Sequence, residues 1–213
     1  MTQSIPRLVR QLISLALLAT PSVSLAQFDH GLWQELLDRY VVVIDGGQAT
    51  RVDYSGIQNE QQKLQGYLER LAAVEKSEFE RWQRSEQLAF LINAYNAWTV
   101  ETVLSEYPKL ESIRDLGWFL RPVWGQLRIS LFGEQISLDY LEHDLIRGPE
   151  GYGEPRIHFA VNCASIGCPA LRNEAYTGDR LEEQLEDATS LFLADRSRNR
   201  LENGTLWVSE IFS

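Results

Sequence analysis

Residues 85–107, SEQLAFLINAYNAWTVETVLSEY, decide how this chain is organised. Leu88, Leu91, Ile92, Tyr95, Thr99, Thr102 and Val103 recur at intervals of three and four, the spacing of one face of an α-helix. Pro108 stops that helix, because proline cannot donate to the helical ladder. At 1.5 Å per residue the run reaches about 35 Å, enough to cross a small domain. Two residues inside it are out of character. Asparagine is a poor helix-interior residue, yet Asn93 and Asn96 sit within one turn of each other and beside the apolar stripe. Either they tie the helix to buried loop backbone, since buried polar groups must be satisfied, or they bind a ligand.

Upstream the pattern stays helical. Phe28 to Val43 carries Leu32, Trp33, Leu36, Leu37 and Tyr40 at helical spacing, and Gly46-Gly47 ends it. Val52-Asp53-Tyr54 is a short extended piece. Ile57 to Val74, with Leu64, Tyr67, Leu68 and Leu71, predicts a second helix, and Ser77-Glu78-Phe79-Glu80 fits a capping box. Downstream the character changes. Leu127 to Leu131 and Glu134 to Ser137 flank Phe132-Gly133, which predicts a hairpin with a glycine turn. Ser137 can cap a helix from Leu138 to Arg147. Arg156 to Asn162 (RIHFAVN) reads as a strand, Leu181 to Leu193 as a helix and Thr205 to Ile211 as a last strand. The expected class is α+β: a helical N-terminal half packed on a small, mainly antiparallel sheet, in a single domain over 27–213.

The first 26 residues fall outside that scheme. Arg7 and Arg10 precede a short apolar run, Leu12 to Ala19, and Ser24-Leu25-Ala26 offers small residues where a signal peptidase reads. A membrane span needs roughly 20 apolar residues, and Pro21 closes this run early. A cleaved signal peptide is therefore expected, with Gln27 leading an exported protein, periplasmic if the host is Gram-negative. The full chain has 213 residues and a formal charge of -10. Cleavage leaves 187 residues with 18 basic against 30 acidic side chains, a charge of -12. Such an acidic chain is not expected to bind nucleic acid, which needs a basic surface. Nor is it expected to be an integral membrane protein once the signal is removed.

The candidate chemistry lies in two short segments. In the helix over 138–147 the apolar stripe is Leu138, Leu141, Leu145 and Ile146, and Glu142 stands in its middle. A carboxylate there is costly unless it is paired or protonated. It is either a structural ion-pair partner of Arg121, Arg128 or Arg156, or an acid/base group orienting a histidine. His143 follows on the flank, four residues after Asp139. The second segment is HFAVNCASIGCP, from His158 through Asn162, Cys163 and Ser165 to Cys168 and Pro169. Its small residues let backbone approach a ligand, with N–H groups free to serve as oxyanion donors. Its cysteines admit three readings: a thiol nucleophile with a histidine base, a disulfide suited to an oxidising compartment, or zinc held with His143 and His158. The C-x4-C spacing is looser than a usual zinc knuckle. His30 reads as a surface residue with no role.

Three stretches taken together, QLAFLINAYNA over 87–97, Gly133 through Ser137-Leu138-Asp139 to Glu142-His143, and His158 through Asn162-Cys163 to Cys168-Pro169, resemble the bacterial family known as domain of unknown function 547. The resemblance runs from about Trp33 to the last helix. It implies that Asn93, Asn96, Glu142, His143, His158, Asn162, Cys163 and Cys168 meet in space, and it implies no particular reaction. Members of the family usually continue past the Ile-Phe found here as Ile211-Phe212, so the C-terminus is expected to be either short or incomplete.

The function expected from these residues is a thiol-dependent hydrolase or transferase acting on an amide or thioester of a small molecule or peptide, without cofactor or metal. Cys163 would be the nucleophile, His143 the base and Glu142 or Asn162 its orienter. Asn93, Asn96, His158, Ser165 and Cys168 would line the binding site. The rival expectation is a non-catalytic binding module stapled by a disulfide, and a zinc-binding Cys/His protein is the third.

Overall fold

The computed structural model describes residues 27–109, 128–165 and 167–212. The expected signal segment and Arg121 lie outside the described residues. Helix α1, Gly31–Tyr40, packs Trp33, Leu36 and Leu37 inward. Two short helices follow, α2 (Tyr54–Asn59) and α3 (Gln61–Ala72), the latter burying Leu64, Tyr67, Leu68 and Leu71. Trp33 and Tyr67 stack at 5.9 Å between ring centroids, nearly parallel. One turn, α4 (Lys76–Phe79), then leads into α5, Arg84–Glu106.

The second half begins with a hairpin and ends with one. Strands β3 (Arg128–Leu131) and β4 (Glu134–Ser137) pair antiparallel, with Ile129 opposite Ile136. Helix α6 starts at Leu138–Tyr140 and continues as a π-helical turn over Leu141–Ile146. A 3-10 turn spans Pro155–Phe159, helix α7 spans Leu181–Ala194, and strands β5 (Arg200–Glu202) and β6 (Thr205–Trp207) form the last hairpin. One apolar core cluster extends from Trp33 to Leu185 and takes in α1, α3, α5, both β3–β4 strands and the loop before α7.

The α+β class holds, with departures from the sequence reading: the last strand covers only Thr205–Trp207, a 3-10 turn following over Glu210–Phe212, and the helix expected over Ile57 to Val74 is divided into α2 and α3. Helix α1 stops at Tyr40, because Val41-Val42-Val43-Ile44 is a β-branched run. It forms strand β1 (Val41–Ile44), paired with β2 (Ala49–Val52), Val43 opposite Thr50. The sheet is therefore three separate two-stranded hairpins among the described residues. The Ser77 capping box does not form: α4 begins after Glu75 with no side-chain cap. The segment over 156–162 is a 3-10 turn and loop instead of a strand, since Pro155 fixes φ for a helical first turn and Glu154 accepts the Arg156 N–H. Finally, α5 is buried all round from Leu88 to Ala97, not on one stripe. A helix apolar on every side belongs in the centre of a domain.

The β3–β4 turn uses a bulky residue where glycine or asparagine is usual. Phe132 has φ 54° and Gly133 φ 74°, the left-handed pair that a two-residue hairpin demands. A phenylalanine there carries a steric cost of about 1–2 kcal/mol. Its ring packs 4.7 Å from Phe79 and 6.1 Å from Phe90, which offsets that cost.

Candidate functional site

The loop over 160–177 has no strand partner, and buried side-chain amides supply what a neighbouring strand would. A carboxamide presents one acceptor and one donor end, as a peptide group does. Asn96 donates to the Ala160 carbonyl at 3.0 Å and accepts from the Asn162 N–H at 2.8 Å. Asn93 donates to the Tyr176 carbonyl at 2.7 Å and accepts from the Tyr176 N–H at 3.0 Å. Gln184, fully buried on α7, bonds the Ala175 carbonyl and the Thr177 N–H in the same way. Asn162 repeats the device inside the loop, donating to the Pro169 carbonyl at 2.6 Å and accepting from the Ala164 N–H at 3.0 Å.

These contacts decide between the two expectations for the asparagines: Asn93 and Asn96 clamp buried loop backbone. His30 joins them, which corrects its assignment to the surface. It is 6 % exposed, its Nδ1 lies 2.7 Å from the Tyr67 hydroxyl, and Asn93 lies 3.3 Å from its Nε2. Burial lowers its pKa to about 4, against a smaller opposing pull from Asp29. The helix expected from Phe28 begins at Gly31, so Phe28 and His30 precede it.

Cys163 and Cys168 are bonded to each other, with their Cα atoms 6.0 Å apart. Among the three readings of the cysteines the disulfide is the one present, so neither sulfur is a free thiol in this structure. Among the described residues no group of three histidine, cysteine or carboxylate side chains could hold a metal ion, so the zinc set of His143, His158, Cys163 and Cys168 is not assembled. The loop they close carries Ala164 at φ 55°, a left-handed conformation that an alanine adopts only under constraint. Arg198 donates to the Cys168 carbonyl at 2.7 Å, and the Cys168 N–H bonds the Ser165 carbonyl at 2.9 Å. The N–H of Ala164, one of the suggested oxyanion donors, is already engaged by Asn162 Oδ1.

The Glu142 cluster forms on the neighbouring helix. The π-helical turn carries the Arg147 N–H to the Glu142 carbonyl at 3.0 Å, five residues back. The wider turn brings Arg147 onto the same side as Glu142, five residues back, a pairing an α-helix does not make, while His143 lies at the ordinary four-residue spacing. Arg147 Nη1 lies 3.3 Å from Glu142 Oε1 and 3.2 Å from His143 Nδ1. This corrects two of the three expected partners, Arg121 lying outside the described residues. Arg156 instead binds Glu154, Glu182 and Glu186, fastening the 3-10 turn to α7, and Arg128 makes no ion pair among the described residues. Glu142 is half-buried, its side chain 17 % exposed, and its charge acts on Tyr95 of α5. Burial first, and then Glu142, pushes the Tyr95 phenol up.

His158 completes the group from the 3-10 turn. Burial lowers its pKa, Arg147 adds to that, Glu142 opposes it and His143 lowers it slightly. Asp139 is held above its usual range by burial, with His143 and Glu142 pulling in opposite directions. Tyr95 and Asn96 are consecutive on α5, one facing Glu142 and the other the Asn162 backbone. The helix thus joins the Glu142 cluster to the disulfide loop. Sequence reasoning missed Tyr95 and Arg147, and only the polar tip of a stripe tyrosine marked the first.

A family profile described as "Protein of unknown function, DUF547" matches residues 79–193, which hold α5, the Glu142 cluster, the disulfide loop and α7. The chain belongs to the DUF547 family. Comparison with curated proteins and with solved structures returns no match. Among the described residues, no helix is long and apolar enough to cross a membrane.

Proposed function

We propose that this is an exported recognition domain, stapled by its disulfide, whose working surface is formed by Glu142, His143, Arg147 and His158 beside the Cys163–Cys168 loop. The observation that carries the reading is the bond between the two cysteines. A sulfur engaged in a disulfide is no nucleophile, whereas the imidazoles and the guanidinium keep exposed surface. Amides on α5 and α7 bond the loop's backbone, so the staple and the amides hold a fixed edge to the cluster. Two imidazoles, one guanidinium and one carboxylate offer donors and acceptors to a small molecule or a peptide.

A second reading rests on Ala164. A strained non-glycine residue directly after Cys163 is the kind of backbone found where chemistry is done, and reduction would free the neighbouring thiol. With the bond reduced by an external dithiol, His143 would take the Cys163 proton, the thiolate would attack an acyl carbon to form a thioester, and His143 would pass that proton to the departing amine or thiol.

Mass measurement after alkylation separates the two. Recognition predicts no adduct on unreduced protein, equally slow adducts at both cysteines after reduction, and a Cys163→Ser variant that loses melting temperature only against the oxidised parent. One fast adduct at Cys163 after reduction overturns it in favour of the thiol enzyme.

A further inference from the structure

Away from the Glu142 cluster, the hairpin β1–β2, the loop after the disulfide and α7 enclose a cavity of about 150 Å³. Its apolar wall comprises Val43, Phe159, Ala188, Leu191 and Phe192. The residues either side of one peptide bond serve different sites: His158 faces the Glu142 cluster, and Phe159 packs against Phe192 in this second space, the ring centroids 5.1 Å apart and the rings tilted. An apolar cavity of roughly this size accepts benzene, which sets the scale of the occupant at a single ring.

The mouth is polar and carries a charge. Arg172 and Asp187 both line the cavity, and Arg172 bonds Asp187 at 2.6 Å and Glu174 at 3.0 Å. Arg180 in turn pairs with Glu174 and Glu183. Two guanidinium groups therefore face three carboxylates, and the set is left with one negative charge. Asp187 is the carboxylate at the mouth, half exposed, and its Oδ1 has no protein partner among the described residues. The field at the entrance favours a cation, as does the acidic chain as a whole.

We propose that this cavity is a second ligand site, taking an aromatic ring carried on a short chain with a terminal ammonium group, the ring packed against the Phe159–Phe192 pair and the ammonium at Asp187. It is independent of the recognition surface proposed above.

Phenethylamine and 3-phenylpropionate test it, because they are close in size and opposite in charge. Titrated into nitrogen-15-labelled protein, phenethylamine is expected to move the amide signals of Phe159, Ala188, Leu191 and Phe192 saturably. 3-Phenylpropionate is expected to bind about tenfold more weakly, from one exposed ion pair gained against one repulsion. Asp187→Asn is expected to remove that difference while leaving ring binding in place. Ala188→Trp fills the cavity and is expected to abolish the shifts for both compounds. If that variant does not fold, Val43→Trp on the exposed hairpin strand narrows the cavity from the other wall. No saturable shift, equal or tighter binding of the carboxylate, or undiminished binding in a folded, filled variant would each overturn the proposal.

Discussion

Asn96 of the central helix holds Asn162 of the disulfide loop by its backbone N–H, at 2.8 Å, and returns a bond to the Ala160 carbonyl two residues earlier. The helix side chain does the work of a paired strand. That contact, with its counterpart at Asn93, explains why two poor helix formers stand in the most buried helix of the molecule.

Removing the clamp leaves a buried donor and a buried acceptor without partners. Asn96→Ala is expected to cost roughly 2–4 kcal/mol, on the penalty for unsatisfied buried polar groups. Asn96→Asp keeps the acceptor and loses the donor, and burying its charge makes it no milder than alanine near neutral pH. Urea denaturation followed by tryptophan fluorescence measures both, and a loss under 1 kcal/mol for the alanine variant would remove the clamp.

His30 sets a pH dependence. Its folded pKa, about 4, lies below the ordinary 6.5, so the unfolded chain binds the extra proton more readily between those values. Its contribution is complete above the unfolded pKa and is lost as the pH falls from about 6.5 to about 4, roughly 3 kcal/mol in all. His30→Gln should flatten that part of the stability curve. Parallel curves for variant and parent would contradict the burial argument.

The His158 imidazole reports on the cluster around it. Arg147→Gln removes a neighbouring positive charge and is expected to raise the His158 pKa. Glu142→Gln removes an opposing negative charge and is expected to lower it. Proton chemical shifts of the imidazole, followed through pH, read both signs directly. Shifts of the same sign would show that the two side chains do not act on His158 as charges.

The turn at Phe132 separates backbone strain from packing. Phe132→Ala loses the ring contacts with Phe79 and Phe90 and keeps the strained φ of 54°. Phe132→Asn loses the same contacts but places there a residue that tolerates left-handed backbone. Both variants should be less stable than the parent, and asparagine should exceed alanine by about 1 kcal/mol. Equal stabilities would mean that the neighbouring turn, and not Phe132, carries the strain.

The disulfide closes a short loop, five residues apart in sequence. Chain-entropy reasoning gives it about 2 kcal/mol of stability. A Cys168→Ser variant and a reduced parent protein should therefore melt at similar temperatures, both below the oxidised parent.

Periodicity alone carried most of the helical half: α3, α5 and α7 lie within a few residues of where the spacing puts them, as does the β3–β4 hairpin around Phe132-Gly133. The cap at Ser137 is also present, its hydroxyl accepting the Tyr140 N–H at 3.0 Å. What eluded the sequence were features set by geometry between distant segments. Arg147 is Glu142's partner because of a π-helical turn, and no residue pattern distinguishes that turn from an ordinary helix. Arg156 to Asn162 looked like a strand from its broken apolar alternation, but Pro155 opens a 3-10 turn there, and Asn96 of α5 bonds the Ala160 carbonyl and the Asn162 N–H. His30 was passed over because its burial depends on Tyr67, 37 positions away.

The three hairpins, none joined to another among the described residues, have a consequence for how the molecule tolerates change. In a continuous sheet, lengthening one strand shifts every neighbour's register. Here an insertion at Asn203-Gly204 would be absorbed locally, because no ladder passes the displacement on. The tip at Gly46-Gly47 is less free, since Gly47 abuts Leu191 of α7, and the backbone around Asn162, held by a reciprocal carboxamide on α5, is less free still.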